Sequence, residues 1–449
     1  MPKERRHRFA DGSWGRMGRM AAAIRSLRYA VGLLGEARWI NRRSLLFCGA
    51  FCAAIVLYGI VRFDLFFTTD GLTAPTGQPL AFDFLNYYAA AKAAAAGHAG
   101  LVYDHDRFQA FERGIVGPRA FAWGIYSYPP FALLLTLPLA ALPYIPALIV
   151  WRVLGVGLVW ATLRRLVGWP AAALAAVGAP AAFYNLNFGQ NGYFTAALLG
   201  GGLIALERRP IVAGICFGCL AYKPHLGLLL PVALAVGGYW RAIAAAAATI
   251  AVLSLLSLAA FGAPAWLGFF HNMAVNRGLI DTATDLTRFP SIFAAARELG
   301  AGLGLAYAVQ IASAVLAFAG VVVVWSGEGP PEIKAAALTV AIFLATPYAW
   351  DYDALVLLFA AAWLARMGMR TGFLAWERLT VLALVILPAL MFLLIRLWGV
   401  PIGPVMLWLA FAVLLRRGLG IRVTSAAAVG DIPIAAAGTW PLAEGAERR

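Results

Sequence analysis

Seven residues, Phe82-Asp83-Phe84-Leu85-Asn86-Tyr87-Tyr88, set a carboxylate, an amide and two phenols in the longest polar interval of a very apolar chain. On an α-helix Asp83, Asn86 and Tyr87 share one face, because residues three and four apart are neighbours. A helix of this kind lies at the membrane surface and offers one acid to whatever binds there. Asp83 can equally cap the helix, as Asp commonly does. The residues alone leave both readings open.

Lys223 is the next group of interest. It stands between two apolar runs, 211–221 and 226–238, and is followed by Pro224 and His225. A helix broken there presents a cation suited to a phosphate, whereas a lysine snorkelling to headgroups needs no ligand at all. Lys92, His98, Gln190, Asn191, His271, Arg277, Asp351 and Asp353 also interrupt apolar structure. Ionisable groups at bilayer depth are costly, so they point to a site or a water-filled path. Asp351-x-Asp353 has the spacing of a hard-cation site, yet two acids in one turn are also a common solvated loop. No metal or other cofactor is expected. Walker, Rossmann, His-Glu-x-x-His and Gly-x-Ser-x-Gly patterns are absent, which leaves ATP hydrolysis, hydride transfer and zincin or serine-hydrolase chemistry unsupported.

These residues need elements to hold them, and composition says which. The chain of 449 residues is 62% hydrophobic and 13% charged, with mean hydropathy +0.79. That is the composition of a polytopic bundle of spanning helices. The formal charge of +15 comes from short arginine clusters between apolar runs, the pattern of cytoplasmic loops rather than of nucleic-acid binding. Cys48, Cys52, Cys216 and Cys219 lie inside apolar runs and imply neither a disulfide framework nor a zinc site.

In chain order, residues 1–44 form a basic arm expected in the cytoplasm, with a possible amphipathic helix over 20–39. The first span covers 45–61. Residues 63–126 are a first outer loop carrying surface helices, the first of them holding Asp83. After Tyr128-Pro129-Pro130, the run 131–142 is short for a bilayer core of about 30 Å. With the longer run to Leu163 it reads as two spans or as a re-entrant hairpin plus one span, and the hairpin puts Arg164-Arg165 inside. Short paired segments then alternate arginines with polar turns, and a second outer loop spans 262–290. About a dozen crossings fill 45–420, and the tail 421–449 is expected to be disordered. The fold class is all-α, a polytopic transmembrane bundle.

Several motifs resemble glycosyltransferase family 87. They are Asp83 with Tyr87-Tyr88, then Gly97-His98-Ala99-Gly100-Leu101-Val102-Tyr103-Asp104, then Tyr128-Pro129-Pro130. Gly189-Gln190-Asn191-Gly192 and Lys223-Pro224 follow in order. The order and spacing hold from about residue 80 to 245 and thin beyond, where Arg288-Phe289-Pro290-Ser291 replaces an expected Asn-Gln-Ser element. The resemblance implies a GT-C-like enzyme that moves a mannose-like hexose, with inversion, from a polyprenyl-phosphate donor to a lipid or glycan acceptor. It implies an active site on the outer face of a bacterial inner membrane, with membrane lipids and no nucleic acid as partners. Asp83 matches its catalytic acid position and is taken as general base. Lys223, His225, Lys92 and Arg277 are candidates for the donor phosphate. Asn86, Tyr87, Tyr88, Tyr128, Gln190, Asn191 and His271 are the candidate substrate contacts.

A transporter or flippase of a lipid-linked glycan is the alternative, since broken helices and midplane charges suit it too. It should show internal repeats, and none stands out. The arginine pattern predicts that cysteines placed at positions 83 and 209 label from opposite sides of the membrane. Labelling from one side would overturn this topology.

Overall fold

The computed structural model describes residues 32–68, 72–74, 76–121, 125–283 and 285–420. Residues 36–421 form one compact unit, and the other unit, 1–35 and 422–449, is described only over 32–35. Most of the basic arm and the whole C-terminal tail therefore lie outside the described residues. The described elements are helical, with one isolated bridge, Thr73 to Pro79.

Helix α1 (Arg42–Thr68) is the first span and runs past its expected end. Asp64 on its last turns pairs with Arg152 at 2.5 Å. The outer loop holds α2 (Phe82–Ala95), a 3-10 turn (Ala99–Tyr103) and α3 (His105–Val116). The run 131–142 becomes α4 (Phe131–Thr136) and a second 3-10 turn (Leu137–Ala141), together about 19 Å at ~1.5 Å per α and ~2.0 Å per 3-10 residue and too short to cross. Pro143 then precedes the full-length α5 (Tyr144–Val167). The sequence left this segment as two spans or as a re-entrant hairpin plus one span; the structure has one helix long enough to cross, α5, preceded by the short piece Phe131–Ala141.

Next come α6 (Trp169–Gly178) and α7 (Pro180–Phe188), parted at Ala179 because a proline opens the second. They are followed by α8 (Gly192–Ala205), α9 (Pro210–Leu220) and α10 (Leu230–Val236). Helix α11 (Trp240–Thr282) bends at Gly262, whose φ is +75°, and restarts on Pro264. Much of the expected second outer loop is thus helix. Proline breaks a helix only in its interior and is well placed in a first turn. After α12 (Ile292–Glu298) come α13 (Leu303–Ser326), α14 (Pro331–Ala345), α15 (Leu357–Thr371), α16 (Glu377–Trp398) and α17 (Gly403–Gly418).

Six helices among the described residues are long and apolar enough to cross a membrane: α1, α5, α11, α13, α15 with its 3-10 lead, and α16. The expected dozen is not reached by length, because segments such as α9, with 11 residues, rise only about 16 Å. Helices α14 and α15 are buried along nearly their whole length and form the core. Apolar side chains on α1, α11 and α13, such as Phe47, Leu255 and Leu316, are exposed. Broad apolar surface of this kind suits contact with lipid.

Close helix contact rests on small residues, as expected where lipid removes the hydrophobic drive between helices. A Cβ at Gly214 would lie 2.4 Å from the Ala242 carbonyl, and one at Gly218 would lie 2.5 Å from Thr249 Cβ. These two glycines, one turn apart on α9, let α11 approach. The ends of the bundle differ in charge. At one end Arg366 donates to the Arg165 carbonyl at 2.7 Å, Arg370 pairs with Glu332, and Arg417 pairs with Glu377. The other ends of α5, α8 and α15 face the Asp83 region, about 36 Å away along the 24 residues of α5.

Gly218→Leu is expected to lower the thermal midpoint, at a cost of about 1–3 kcal/mol for overpacking. Gly157→Ala, which meets nothing within 4 Å, should leave it unchanged. Thermal unfolding of the two detergent-purified variants checks this; an unshifted midpoint for Gly218→Leu would show that the α9–α11 contact is slack.

Candidate active site

Helix α2 starts in a fixed way. Ala81, fully buried, adopts φ 48°, a left-handed conformation that costs a non-glycine residue about 1–2 kcal/mol. Its carbonyl accepts the amide protons of Phe84 and Leu85. No side chain caps this helix, so Asp83, in the first turn, is not spent as an N-cap. Asp83, Asn86 and Tyr87 share a face as expected. Lys92 lies nine residues further, two and a half turns, and so on the opposite face. Its ammonium sits 5.6 Å from the Tyr88 ring.

The turn Gly189-Gln190-Asn191-Gly192 brings its amides to that face. Gly189 closes α7 with φ 68°, and a Cβ there would lie 2.5 Å from Phe84 Cβ. Both constraints demand glycine. At Gly192 a Cβ would meet Asn185 Oδ1 at 2.5 Å and the Tyr352 carbonyl at 2.6 Å. The turn is therefore wedged between α2 and the segment 350–353. Trp151 Nε1 holds the Gly189 carbonyl at 3.0 Å, and Asn185 donates to the Tyr352 carbonyl at 2.9 Å. Held this way, Gln190 Oε1 accepts from the Tyr87 hydroxyl at 2.8 Å, and the Gln190 side chain lies beside Asp83. The Tyr87 and Tyr128 hydroxyls are 2.9 Å apart, and the Asn191 side chain lies beside Tyr128. A hydrogen-bonded chain runs from Gln190 through Tyr87 to Tyr128, with Asp83 beside one end and Asn191 beside the other.

Two ion pairs complete the site. Lys223 Nζ donates to Asp353 Oδ1 at 2.6 Å, with the two side chains 3% and 0% exposed. Arg288 grips Asp351 through Nε and Nη2 at 2.8 and 2.9 Å, and the Asp351 amide donates to the Arg288 carbonyl. The Arg288 guanidinium lies within 5.5 Å of the ring centres of Tyr184, Phe188 and Trp350, yet remains 36% exposed. Three of its five donor hydrogens are left over after the two bonds to Asp351.

Asp83 is partly exposed, as a group lining a concavity would be. Burial pushes its carboxyl up to about 6, with Asp351 adding to the rise, while Arg288, Gln190 and Lys223 pull it down. Desolvation penalises the charged form more than these partners favour it. Burial also raises the Tyr87 and Tyr128 phenols, which therefore act as neutral donors and acceptors.

The expected site residues sort clearly. Asp83, Tyr87, Tyr128, Gln190 and Asn191 come together. Lys223 is near too, but it is no free cation at a membrane boundary. Its charge is neutralised by Asp353, which the sequence reading placed in a turn with Asp351 as either a solvated loop or a metal pair. Both acids are buried and paired with cations. His225 feels the charges of Asp353 and Lys223, and its Nε2 is buried without a protein partner. Asn86 is tied to Glu112 and the Ile125 carbonyl, and Tyr88 donates to the Leu142 carbonyl. These two brace the loop instead of facing a substrate. Arg277, 67% exposed and beside Asp281, is not among the charges that act most on Asp83, and neither is Lys92. His271 lines a separate cleft. The residue missed is Arg288, which had registered only as a departure from a motif; its aromatic surroundings come from 184, 188 and 350, far away in sequence.

An all-helical membrane protein whose buried charges converge on one partly exposed carboxylate has the makings of a membrane-embedded transferase. Residues 126–347 match the model of glycosyltransferase family 87, and the chain belongs to that family. It is a membrane glycosyltransferase. The matched segment includes Tyr128, the 189–192 turn, Lys223 and Arg288, while Asp83 and Asp351 lie outside it. No curated protein and no solved structure matches the chain.

Lys223→Met should be strongly destabilising, by about 3–5 kcal/mol, since it strands a buried carboxylate. Lys223→Met with Asp353→Leu should recover much of that loss. A double variant as unstable as the single one would show that the pair is not the interaction that matters.

Proposed function

We propose that this enzyme transfers a hexose, mannose-like, from a polyprenyl-phosphate donor to a hydroxyl of a lipid or glycan acceptor on the outer face of the membrane, with inversion. The observation that carries the reading is the pairing of Asp83, a carboxyl raised to about 6, with the exposed fork of Arg288 in one electrostatic neighbourhood. The acceptor oxygen attacks the anomeric carbon, and its proton passes to Asp83. The bond from that carbon to the phosphate oxygen breaks, and its electron pair leaves with the polyprenyl phosphate. A single displacement of this kind inverts the centre and needs no cofactor.

Charge grows on the leaving phosphate, and a preorganised donor is most effective where charge develops. Arg288 takes the role first expected of Lys223. Asp351 binds one edge of its guanidinium and the aromatic rings hold its plane, so the other edge is available to phosphate oxygens. Gln190, Tyr87 and Tyr128 fix the Asp83 carboxylate and offer neutral hydrogen bonds to sugar hydroxyls. Lys223 acts at one remove, by holding Asp353 and by lowering the proton affinity of Asp83.

Asp83→Asn should cut transfer by about a hundred to ten thousand-fold, the usual share of general-base catalysis, with donor binding near parental. An Asn variant of parental activity would end the assignment. Asp83 must be ionised to accept a proton, so kcat/KM should rise with pH and level off above about 6. The raised value also means that the folded state holds this proton more tightly than the unfolded chain. Its contribution to stability is therefore full at low pH and is lost as pH rises through about 6. Arg288→Lys, which loses the planar fork, should weaken donor binding by about 1.5–3 kcal/mol. Equal donor affinity in the Lys variant would remove Arg288 from the phosphate site.

A further inference from the structure

A second concavity lies apart from the Asp83 group. It is an open cleft of ≈ 400 Å³ between the 3-10 turn Ala99–Tyr103 and the second half of α11. That volume falls within the range of about 300–1,000 Å³ usual for small-molecule sites. Its wall carries Tyr103, Asp104, His105, His271 and Asn272, and Gly268 forms part of the lining. A Cβ at Gly268 would lie 2.9 Å from Tyr103 Cβ, so glycine there sets how closely the two walls approach. Asp104 caps α3 by accepting the Arg107 amide at 3.1 Å, which fixes where its carboxylate stands.

The chemistry of the lining narrows the ligand. Among the described residues no lysine or arginine lines the cleft, and permanent cations are what phosphate recognition uses. Two imidazoles, a carboxylate and an amide along the lining would be left without partners by a lipid chain. Side chains that both donate and accept, beside an aromatic ring, suit a ligand dense in neutral hydroxyls. The cleft also backs directly on the active site. Tyr103 donates to the Tyr128 carbonyl at 2.8 Å and Asn272 donates to the Tyr126 carbonyl at 3.2 Å. Both therefore hold the backbone of the segment whose Tyr128 hydroxyl meets Tyr87.

We propose that the cleft between Tyr103–His105 and Gly268–Asn272 is a binding site for a neutral glycan, namely the sugar portion of the acceptor beyond the hydroxyl that is glycosylated. Naming that glycan as part of the acceptor rests on the transfer reaction given above; the binding itself does not. A glycan seated there presses on the two residues that hold the 126–128 segment, and so on the hydroxyl network around Asp83.

The test uses the full-length protein in detergent, without donor, titrated with mannobiose, maltose and cellobiose by saturation-transfer NMR. At least one disaccharide should bind saturably. His105→Ala with His271→Ala should weaken that binding by about tenfold, as expected for the loss of two neutral hydrogen bonds. Asp83→Asn should leave it unchanged. Both histidines are exposed, so the double variant should keep its thermal midpoint, and in a transfer assay it should raise the acceptor KM more than it lowers kcat. Binding of none of the three sugars, parental binding by the double variant, or displacement of the sugar by inorganic phosphate would each overturn the proposal. An Asp83→Asn variant that keeps full transfer would remove the base and leave the cleft standing. Loss of sugar binding to the double variant with acceptor KM unchanged would remove the cleft from the reaction and leave the base standing.

Discussion

Charge balance in a space poor in water governs the active end of this protein. Three carboxylates, Asp83, Asp351 and Asp353, stand with two cations, Lys223 and Arg288. Burying an unpaired charge costs several kcal/mol, whereas a well-bonded pair can break even. Lys223 and Asp353 are fully committed to each other, and Arg288 commits one edge to Asp351. Asp83 is left as the odd acid, beside the neutral Gln190 amide. A carboxyl in that position is held close to neutrality in its proton affinity, which is what a base working near pH 7 requires.

The arrangement demands that chain segments far apart in sequence meet at close range, and glycine is what permits it. Gly189 and Gly192 are separated by only two residues, yet one touches α2 and the other touches the backbone of Tyr352. Any side chain at either would push α2 away from the 350–353 segment and part Asp83 from Arg288. Polar bonds then set the register: Asn185 holds the Tyr352 carbonyl, Trp151 holds the Gly189 carbonyl, and the Trp350 amide donates to Asp353. The serine that survives from the weakened Arg288-Phe289-Pro290-Ser291 element has a structural task, capping α12 through the Ala294 amide.

The opposite end shows how differently the same residue types are used. Glu377 is fully buried, accepts the Leu374 amide and faces Arg417, while Arg416 and Arg417 also bond carbonyls of the 372–375 turn. There the charged groups tie helix ends together. At the Asp83 end they surround a partly open space. The distinction between the two ends lies in which donors are left unspent, and Arg288 has the clearest surplus.

Much was legible in the linear chain. Hydropathy gave the helical membrane class and nearly every apolar segment, because burial in lipid must be written into long runs of residue types. The face shared by Asp83, Asn86 and Tyr87 follows from local geometry that repeats in any helix. The number of full crossings was not legible, since prolines and glycines at 143, 179–180 and 262–264 divide or extend helices according to what packs against them. Nor could sequence separate a free lysine from a paired one: Lys223 meets Asp353 across 130 positions, and a charge alone does not name its partner. Arg288 looked like a lost motif until Tyr184, Phe188, Trp350 and Asp351 closed around it. The sequence by itself determined the membrane class and the types of group available for chemistry. Only the tertiary structure decided which charges cancel and which one stays free to react, because pairing depends on distance in space.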